Sequence, residues 1–294
     1  MLRLLILVMV LAVSIQLSAQ LPKGPSRNDF ELKGPVKTCA ENSIYGQEVF
    51  EFDREGRLIF LKSTYESNEY QEVRFTYNQD TLTQKSINVY RNGLLVKDES
   101  FLFQYAYMQG SYSELIVRLD EGSVTFSKNL MDTSGRVIYT EIQEDKNRDR
   151  IDYQYVRSSD SIQTKLFKND QLISKETEYF NNATQLLKSI VVHFSDEKPV
   201  EKTQLVYNTQ NKVVELLQWQ YSDSLVTLSN PTIRHINTYD EQGYLEKKRI
   251  EINNSAKRTE YLYQFDQHSP KNWVKKIERP SNHYTNRILT YFEI

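Results

Sequence analysis

Polar and apolar residues alternate with a period of two along most of the chain. Residues 73–77, 162–166 and 261–265 show this clearly and are rich in Tyr, Phe, Val, Ile and Thr. Successive side chains of a β-strand point to opposite faces of a sheet, so the alternation is typical of strands with one packed face. Residues 213–219 fit two helical turns or a strand equally well. The pattern predicts an all-β protein.

Short polar turns separate the predicted strands at nearly regular intervals. Residues 52–58 (Phe-Asp-Arg-Glu-Gly-Arg-Leu), 131–137 (Met-Asp-Thr-Ser-Gly-Arg-Val) and 239–245 (Tyr-Asp-Glu-Gln-Gly-Tyr-Leu) share one frame. Residues 90–95 and 167–172 read as the same frame shortened by one residue, and residues 208–211 form a weaker turn without Gly. Asn, Asp and Gly gather here because they tolerate the positive φ that hairpin turns need.

Repeats at this spacing indicate stacked hairpins that bury their apolar faces only against their neighbours. We therefore expect residues 32–294 to form a single all-β domain, a repetitive antiparallel β-hairpin meander in a large twisted sheet that curls on itself. A β-propeller is the alternative, because about four strands in roughly 40 residues resemble one blade. Residues 21–31 contain Pro, Gly and Lys without any period and are expected to be a flexible mature N-terminus.

The shared frame resembles the YD (RHS-type) repeat, and both ends of the domain resemble exported bacterial proteins that carry degenerate copies of it. Residues 33–37 (Lys-Gly-Pro-Val-Lys) match a frequent opening stretch, and residues 271–276 (Lys-Asn-Trp-Val-Lys-Lys) and 287–292 (Arg-Ile-Leu-Thr-Tyr-Phe) match the closing strands. Several units lack the Gly, and there is no Asp-Pro terminator of the kind that ends the shell of large polymorphic toxins. The resemblance implies a β-sheet scaffold, often described as carbohydrate-binding, and supplies no catalytic residues.

The charge balance narrows the class of partner. The chain has 37 basic and 39 acidic residues, a net charge of −2, so no global basic field attracts nucleic acid.

Aromatic residues are abundant, with 20 Tyr and 13 Phe against 9 Gly and 7 Pro. Such side chains suit a pleated surface on which one side of the ring packs and a Tyr hydroxyl stays wet.

The first 20 residues are typical of an export signal. Arg3 is followed by an apolar run over residues 4–17 and by Ser18-Ala19-Gln20, which predicts cleavage after Ala19 or Gln20; an uncleaved anchor is the alternative. No Cys stands at the cleavage site, so we expect a periplasmic or secreted protein without a lipid anchor or an integral membrane segment after cleavage. Cys39 is the single cysteine, which excludes an intramolecular disulfide and predicts a small strand residue.

No motif for catalysis, a cofactor or a metal is present, so none of these site classes is assigned any residue. The four histidines, His193, His235, His268 and His283, have no metal-ligand spacing. Asp145, Asn147 and Asp149 resemble part of a calcium loop, but the turn Gly and the closing Glu are missing and basic residues are interleaved. A charged hairpin tip explains these residues equally well.

The sequence favours a non-enzymatic exported scaffold or binding module that acts through its β-repeat surface on a protein or envelope component. A carbohydrate-binding protein that uses exposed aromatics is the alternative, with Trp219 and Trp273 as first candidates, although core packing is the preferred role of both. A secreted hydrolase is the third hypothesis. A row of exposed rings would favour the second hypothesis, and a deep cleft with close acidic pairs would favour the third.

Overall fold

The structure, a computed structural model, describes residues 22–120, 122–181, 185–221, 230–252 and 255–293, so the predicted export signal lies outside it. In these residues one sheet contains 21 strands. The strands are β1 (Val36–Ser43), β2 (Gly46–Phe52), β3 (Leu58–Glu66), β4 (Glu69–Asn78), β5 (Thr81–Arg91), β6 (Leu94–Leu95), β7 (Phe101–Met108), β8 (Ser111–Arg118), β9 (Val124–Met131), β10 (Val137–Glu144), β11 (Asn147–Arg157), β12 (Ser161–Lys168), β13 (Gln171–Asn181), β14 (Gln185–Ser195), β15 (Lys198–Tyr207), β16 (Val213–Gln220), β17 (Ile233–Tyr239), β18 (Leu245–Ile252), β19 (Ser255–Phe265), β20 (Trp273–Arg279) and β21 (His283–Tyr291). Single 3₁₀ turns cover Arg27–Phe30 and Lys97–Glu99.

The sheet closes into a barrel. Each strand pairs antiparallel with the next, except that β6 is a side branch of β5 and β5 also pairs with β7. β1 then pairs with β21, with Cys39 opposite Leu289 and Glu41 opposite Arg287, so twenty of the described strands form a ring. The predicted all-β hairpin meander is confirmed. The predicted sheet that curls on itself is a closed barrel and not an open sheet, and the propeller is wrong, because the first and last strands satisfy each other's backbone hydrogen bonds.

Alternate residues of each strand face the inside of this ring. Cys39, Phe50, Val73 and Phe75 are all 8% exposed or less and pack in one core cluster on that face. The pairing register carries the same face around the whole barrel, through Thr164 and its neighbours on β12, back to β1. The opposite face points outward.

The N-terminal residues, predicted to be flexible, lie across one end of the barrel. Arg27 donates from its guanidinium to the carbonyls of Gly34 (2.7 Å), Asp53 (2.9 Å) and Arg54 (2.7 Å). The Phe30 ring packs 4.6 Å from Phe50, and Leu32 is 1% exposed. Two apolar side chains and one arginine that satisfies three carbonyls therefore order a segment whose composition is typical of a loop. We call residues 22–35 the plug.

The plug also contacts the start of β20 and the β15–β16 turn. The backbone of Lys33 exchanges two hydrogen bonds with the Asn272 side chain, at 2.7 and 2.9 Å. The Glu31 carboxylate lies 3.4 Å from the Trp273 indole nitrogen and 4.0 Å from the Lys212 amine. The plug thus connects the β2–β3 turn with the β15–β16 turn and β20.

The shared sequence frame corresponds to one turn geometry at the plug end. The turn begins at an Asp or Asn. The N–H of this residue donates to the carbonyl four residues later at 2.8–3.0 Å, and its side chain accepts from the N–H of that later residue at 2.8–3.0 Å. The fourth residue of the turn, counted from this Asp or Asn, has a positive φ, which Gly and Asn adopt with little strain. Four turns share this geometry, beginning at Asp53, Asp132, Asn208 and Asp240.

Tyrosine hydroxyls join these hairpins to their neighbours. Each donates to the carbonyl of an apolar residue at or near the start of the preceding strand, at 2.7–3.0 Å. The pairs are Tyr77 to Leu58, Tyr107 to Leu82, Tyr155 to Val137, Tyr239 to Val213 and Tyr263 to Leu245. At the plug end, these bonds join the strand of each tyrosine to the strand that precedes it in the ring.

The two shortened frames are a different structure, so aligning them with the full frame was wrong. Asn92 and Gly93 have φ of 52° and 74°, and Asn169 and Asp170 have φ of 50° and 69°. Two consecutive positive φ values are the signature of two-residue type I′ hairpin turns. Both turns lie at the end of the barrel opposite the plug.

Candidate functional site

On β8 and β16, the inward side chains are less completely buried than those of the core cluster. All eight residues of β8 are half-buried, whether they face inward or outward, and β16 is half-buried on both faces up to its last residue. Eight strands leave an interior that side chains can fill, whereas sixteen or more leave a water-filled channel. In a ring of twenty described strands, the inward face along these strands is therefore a concave surface, and it is the candidate binding site.

A group of tyrosines lines the lumen at β7, β8 and β11. The register places Tyr105 opposite Glu114 and Tyr107 opposite Tyr112, and the last two rings lie 6.1 Å apart. Burial raises the pKa of Tyr107 and Tyr112 to about 12, and the Glu114 charge adds to both shifts. Tyr153 faces the same space from β11. We call these five residues the tyrosine wall, which offers ring faces, hydroxyls and one carboxylate.

A second inward group lies on β13, where Ser174, Glu176 and Glu178 occupy alternate positions of the strand. The Ser189 hydroxyl on β14 donates to Glu176 at 3.0 Å. Burial raises the pKa of Glu176 and of Glu178, and the Glu176 charge raises that of Glu178 further. Burial and both carboxylates raise the pKa of Tyr207. We call Ser174, Glu176 and Glu178 the acidic column.

A third inward group supports the plug. Arg287 donates to Glu41 at 2.7 Å and to the Phe30 carbonyl at 2.9 Å, and its guanidinium lies 3.4 Å from the centre of the Trp273 ring. Cys39 is buried beside this pair, and burial raises the pKa of its thiol to about 12. A thiol with so high a pKa is a poor nucleophile. Cys39 is a packed strand residue, as predicted.

The two tryptophans do not form a row of exposed rings. Trp273 is 1% exposed and packs between the plug and β21, which confirms core packing for this residue. Trp219 is half-buried on the outward face of β16, with the Lys202 amine 4.4 Å above its ring. The inward rings of the tyrosine wall are also half-buried.

The suspected calcium residues are not brought together around one point. Asp145 is in the β10–β11 turn, while Asn147 and Asp149 lie on β11. The Asp149 carboxylate contacts the Lys168 amine and the Asn169 amide, each at 2.9 Å. In the described ranges, no group of three or more His, Cys, Asp or Glu is placed to hold a metal ion.

The four histidines are distributed over the barrel. His193 and His235 lie on the inward faces of β14 and β17, and His283 begins β21. The His268 ring packs 4.1 Å from the Tyr291 ring in the loop region before β20.

Sequence reasoning missed both the tyrosine wall and the acidic column. Their signal is weak but present: in residues 174–178 (Ser-Lys-Glu-Thr-Glu) the acidic residues fall on the face that Leu166 and Thr164 of β12 share. Acidic residues at every second position of a strand whose partners are buried mark a polar patch on the inner face. Only the register shows that this face lines a lumen.

Comparisons with known proteins give distant structural similarity alone. No protein-family model and no curated protein matches the chain. A porin-like protein from Bacteroides uniformis is 10% identical, with a TM-score of 0.38 over 92% of this chain and 100% of that one. A porin-like protein from Bacteroides vulgatus is 11% identical, with a TM-score of 0.30 over 88% and 99% of the two chains.

A mutant of the Photorhabdus luminescens Tc holotoxin pore is 12% identical, with a TM-score of 0.27 over 84% of this chain and 16% of that one. All three TM-scores are below 0.5, so the fold assignment rests on the strand register itself.

The helices in the described residues are all too short or too polar to cross a membrane.

Proposed function

We propose that the chain is a non-enzymatic, exported binding protein, related to the YD-type repeat proteins, that binds a protein or another envelope component in its barrel lumen. One observation carries this proposal. In the closed barrel, the inward side chains of β8 and β16 are only half-buried, as most of the outward ones are. An open, concave wall with tyrosine rings and hydroxyls is suited to binding, since such rings give large contact area at low entropic cost.

The outward wall supports a location in water. Charged residues occupy outward positions in the middle of many strands, including Lys62 beside Glu72 and Arg234 beside Glu215. A charged side chain at the midplane of a bilayer costs about 2–4 kcal/mol for Lys or Arg on a barrel. Together with the predicted signal, this favours a periplasmic or secreted protein.

The openness of the lumen is tested with single cysteines in a Cys39→Ser background. Glu114→Cys points inward and Ser113→Cys points outward on the same strand. We expect a small maleimide to label both thiols, and a polyethylene-glycol maleimide too large for the lumen to label only the outward one. Equal labelling by the large reagent would contradict an enclosed lumen.

The binding surface is tested by photo-crosslinking in exporting cells. A photoreactive amino acid replaces Tyr112 on the inward face in one variant and Phe126 on the outward face in the other. The proposal predicts that the inward probe captures one dominant envelope component and the outward probe does not. Capture from the outward probe alone would place binding on the outer wall and overturn the proposal.

A carbohydrate is the second candidate ligand, and the tyrosine wall is the observation that favours it. Sugars stack on aromatic rings while carboxylates accept their hydroxyls, and Tyr112 and Glu114 offer both on one strand. Glycan-array binding that is lost in Tyr112→Ala and kept in Tyr179→Ala, an outward tyrosine on β13, would support this candidate. Binding that survives both substitutions would exclude the tyrosine wall as the glycan site.

A further inference from the structure

The carboxylates of the acidic column have no positively charged partner among the described residues. Neither Glu176 nor Glu178 forms an ion pair with any residue that the structure describes. The register places no Lys or Arg opposite the column on either neighbouring strand. The opposing residues are Leu166, Thr164 and Ile162 on β12, and His193, Val191 and Ser189 on β14.

A second observation at the same place indicates a missing hydrogen-bond partner. Ser174 is 4% exposed, and its hydroxyl oxygen has no partner among the described residues. Buried hydroxyls without a partner are uncommon because nothing replaces the hydrogen bonds to water that the hydroxyl loses. Ser174 faces the lumen two residues before Glu176, on the same face of β13.

The spacing along β13 defines the ligand. Alternate residues of a strand lie about 6.7 Å apart, so the column presents three acceptors over about 13 Å. An ammonium group has three N–H donors and no acceptor, which suits two carboxylates and a hydroxyl. The Tyr207 hydroxyl is near enough to both carboxylates for their charges to raise its pKa.

We infer that the acidic column binds a linear cation with two ammonium groups about 6–7 Å apart, each seated between neighbouring acceptors on β13. Two sources carry this chemistry: a free aliphatic diamine, or an extended peptide with Lys at alternate positions. The raised pKa values of Glu176 and Glu178 agree with carboxylates that lack a positive partner in the free protein. The inference depends on the proposed function only in requiring an open lumen.

The test is isothermal titration calorimetry of the full chain at pH 7.5 with 1,4-diaminobutane and with the peptide acetyl-Ala-Lys-Ala-Lys-Ala-amide. We expect measurable binding of at least one, and an affinity at least about ten-fold weaker in Glu176→Gln and in Glu178→Gln. Glu141→Gln, on the outward face of β10, is the matched control and leaves binding unchanged. Preference for the diamine or for the peptide identifies the source.

Three results would overturn the inference: no binding of either probe, undiminished binding in the Glu176→Gln/Glu178→Gln variant, or equal binding of tetramethylammonium, which has no N–H donor. Ser174→Ala provides a second variant with a small change of volume, which is expected to weaken binding less than the Gln variants. Circular dichroism confirms that each variant is folded. The maleimide experiment reports lumen access separately, so a closed lumen and an incorrect ligand give different results.

Discussion

At the scale of single residues, hydroxyl groups at the plug end tie each hairpin to the one before it. Tyr155 is the test case, since its hydroxyl donates to the Val137 carbonyl at 2.7 Å. Tyr155→Phe removes only this bond and leaves a half-buried carbonyl without its partner, so we expect a loss of about 1 kcal/mol in the free energy of unfolding. Urea denaturation followed by circular dichroism measures it.

The matched control is Tyr90→Phe, which keeps an outward ring that stacks 4.5 Å from Tyr70. A surface change of this kind stays within about 0.5 kcal/mol of the parent. Equal losses in both variants would show that the tyrosine-to-carbonyl bonds do not stabilise the barrel.

The turn aspartates give a second prediction at this scale, and it concerns pH. The Ser134 hydroxyl and the Arg136 backbone hold the pKa of Asp132 far below its usual range. Because the folded-state pKa is depressed, the stabilisation is present above the unfolded pKa, about 4, and is lost as pH falls through the folded value. Asp132→Asn should therefore lower the urea midpoint at pH 7, and the difference from the parent should shrink below pH 4. Asp145→Asn, in a turn at the opposite end of the barrel, removes a carboxylate of the same charge and is the control variant.

At the scale of elements, the plug acts as a separate unit on a barrel that is closed without it. Phe30→Ala removes a ring that contacts Phe50 and Phe52, at 4.6 and 5.8 Å between centroids. We expect a loss of about 2 kcal/mol, below the range for a fully buried Phe because Phe30 is half-buried. In a Trp219→Phe background the emission of Trp273 should shift to the red, because the plug covers that indole.

The far-ultraviolet circular dichroism of Phe30→Ala should stay that of the parent. Phe126→Ala, on the outward face of β9, is the control and should leave the Trp273 emission unchanged. An unshifted emission in Phe30→Ala would mean that the plug remains in place without its ring.

The elements show what the sequence could and could not predict. Alternation and turn chemistry are local, so the strands and the full-length frames were predictable, and residues 213–219 proved to be strand β16. The ordered plug was not predictable from the sequence. Arg27 is held by the carbonyls of Gly34, Asp53 and Arg54, and no local pattern indicates that these groups meet. The acidic column was missed because its face becomes inward only once the register with β12 and β14 is known.

At the scale of the whole molecule, closure of the ring is the feature that a local pattern is least able to indicate. It depends on β1 meeting β21, with Thr38 opposite Thr290 and their hydroxyl oxygens 2.6 Å apart. Contacts between residues so far apart in sequence form late and slowly, since a long loop must be closed first. A curled sheet with free edges has the same hairpins and the same turns, so only this one pairing distinguishes the two architectures.

A disulfide across that seam tests closure directly. Paired residues on antiparallel strands have α-carbons about 4.5–5.5 Å apart, within the range that a disulfide spans. In a Cys39→Ser background, Thr38→Cys/Thr290→Cys should oxidise almost completely while folded and raise the urea midpoint, because the bond closes a loop of about 250 residues. Thr38→Cys/Thr177→Cys joins β1 to β13, far around the ring, and should stay reduced. If the Thr38/Thr290 pair also stayed reduced in folded protein, the seam would be open, and the enclosed lumen on which binding depends would be lost with it.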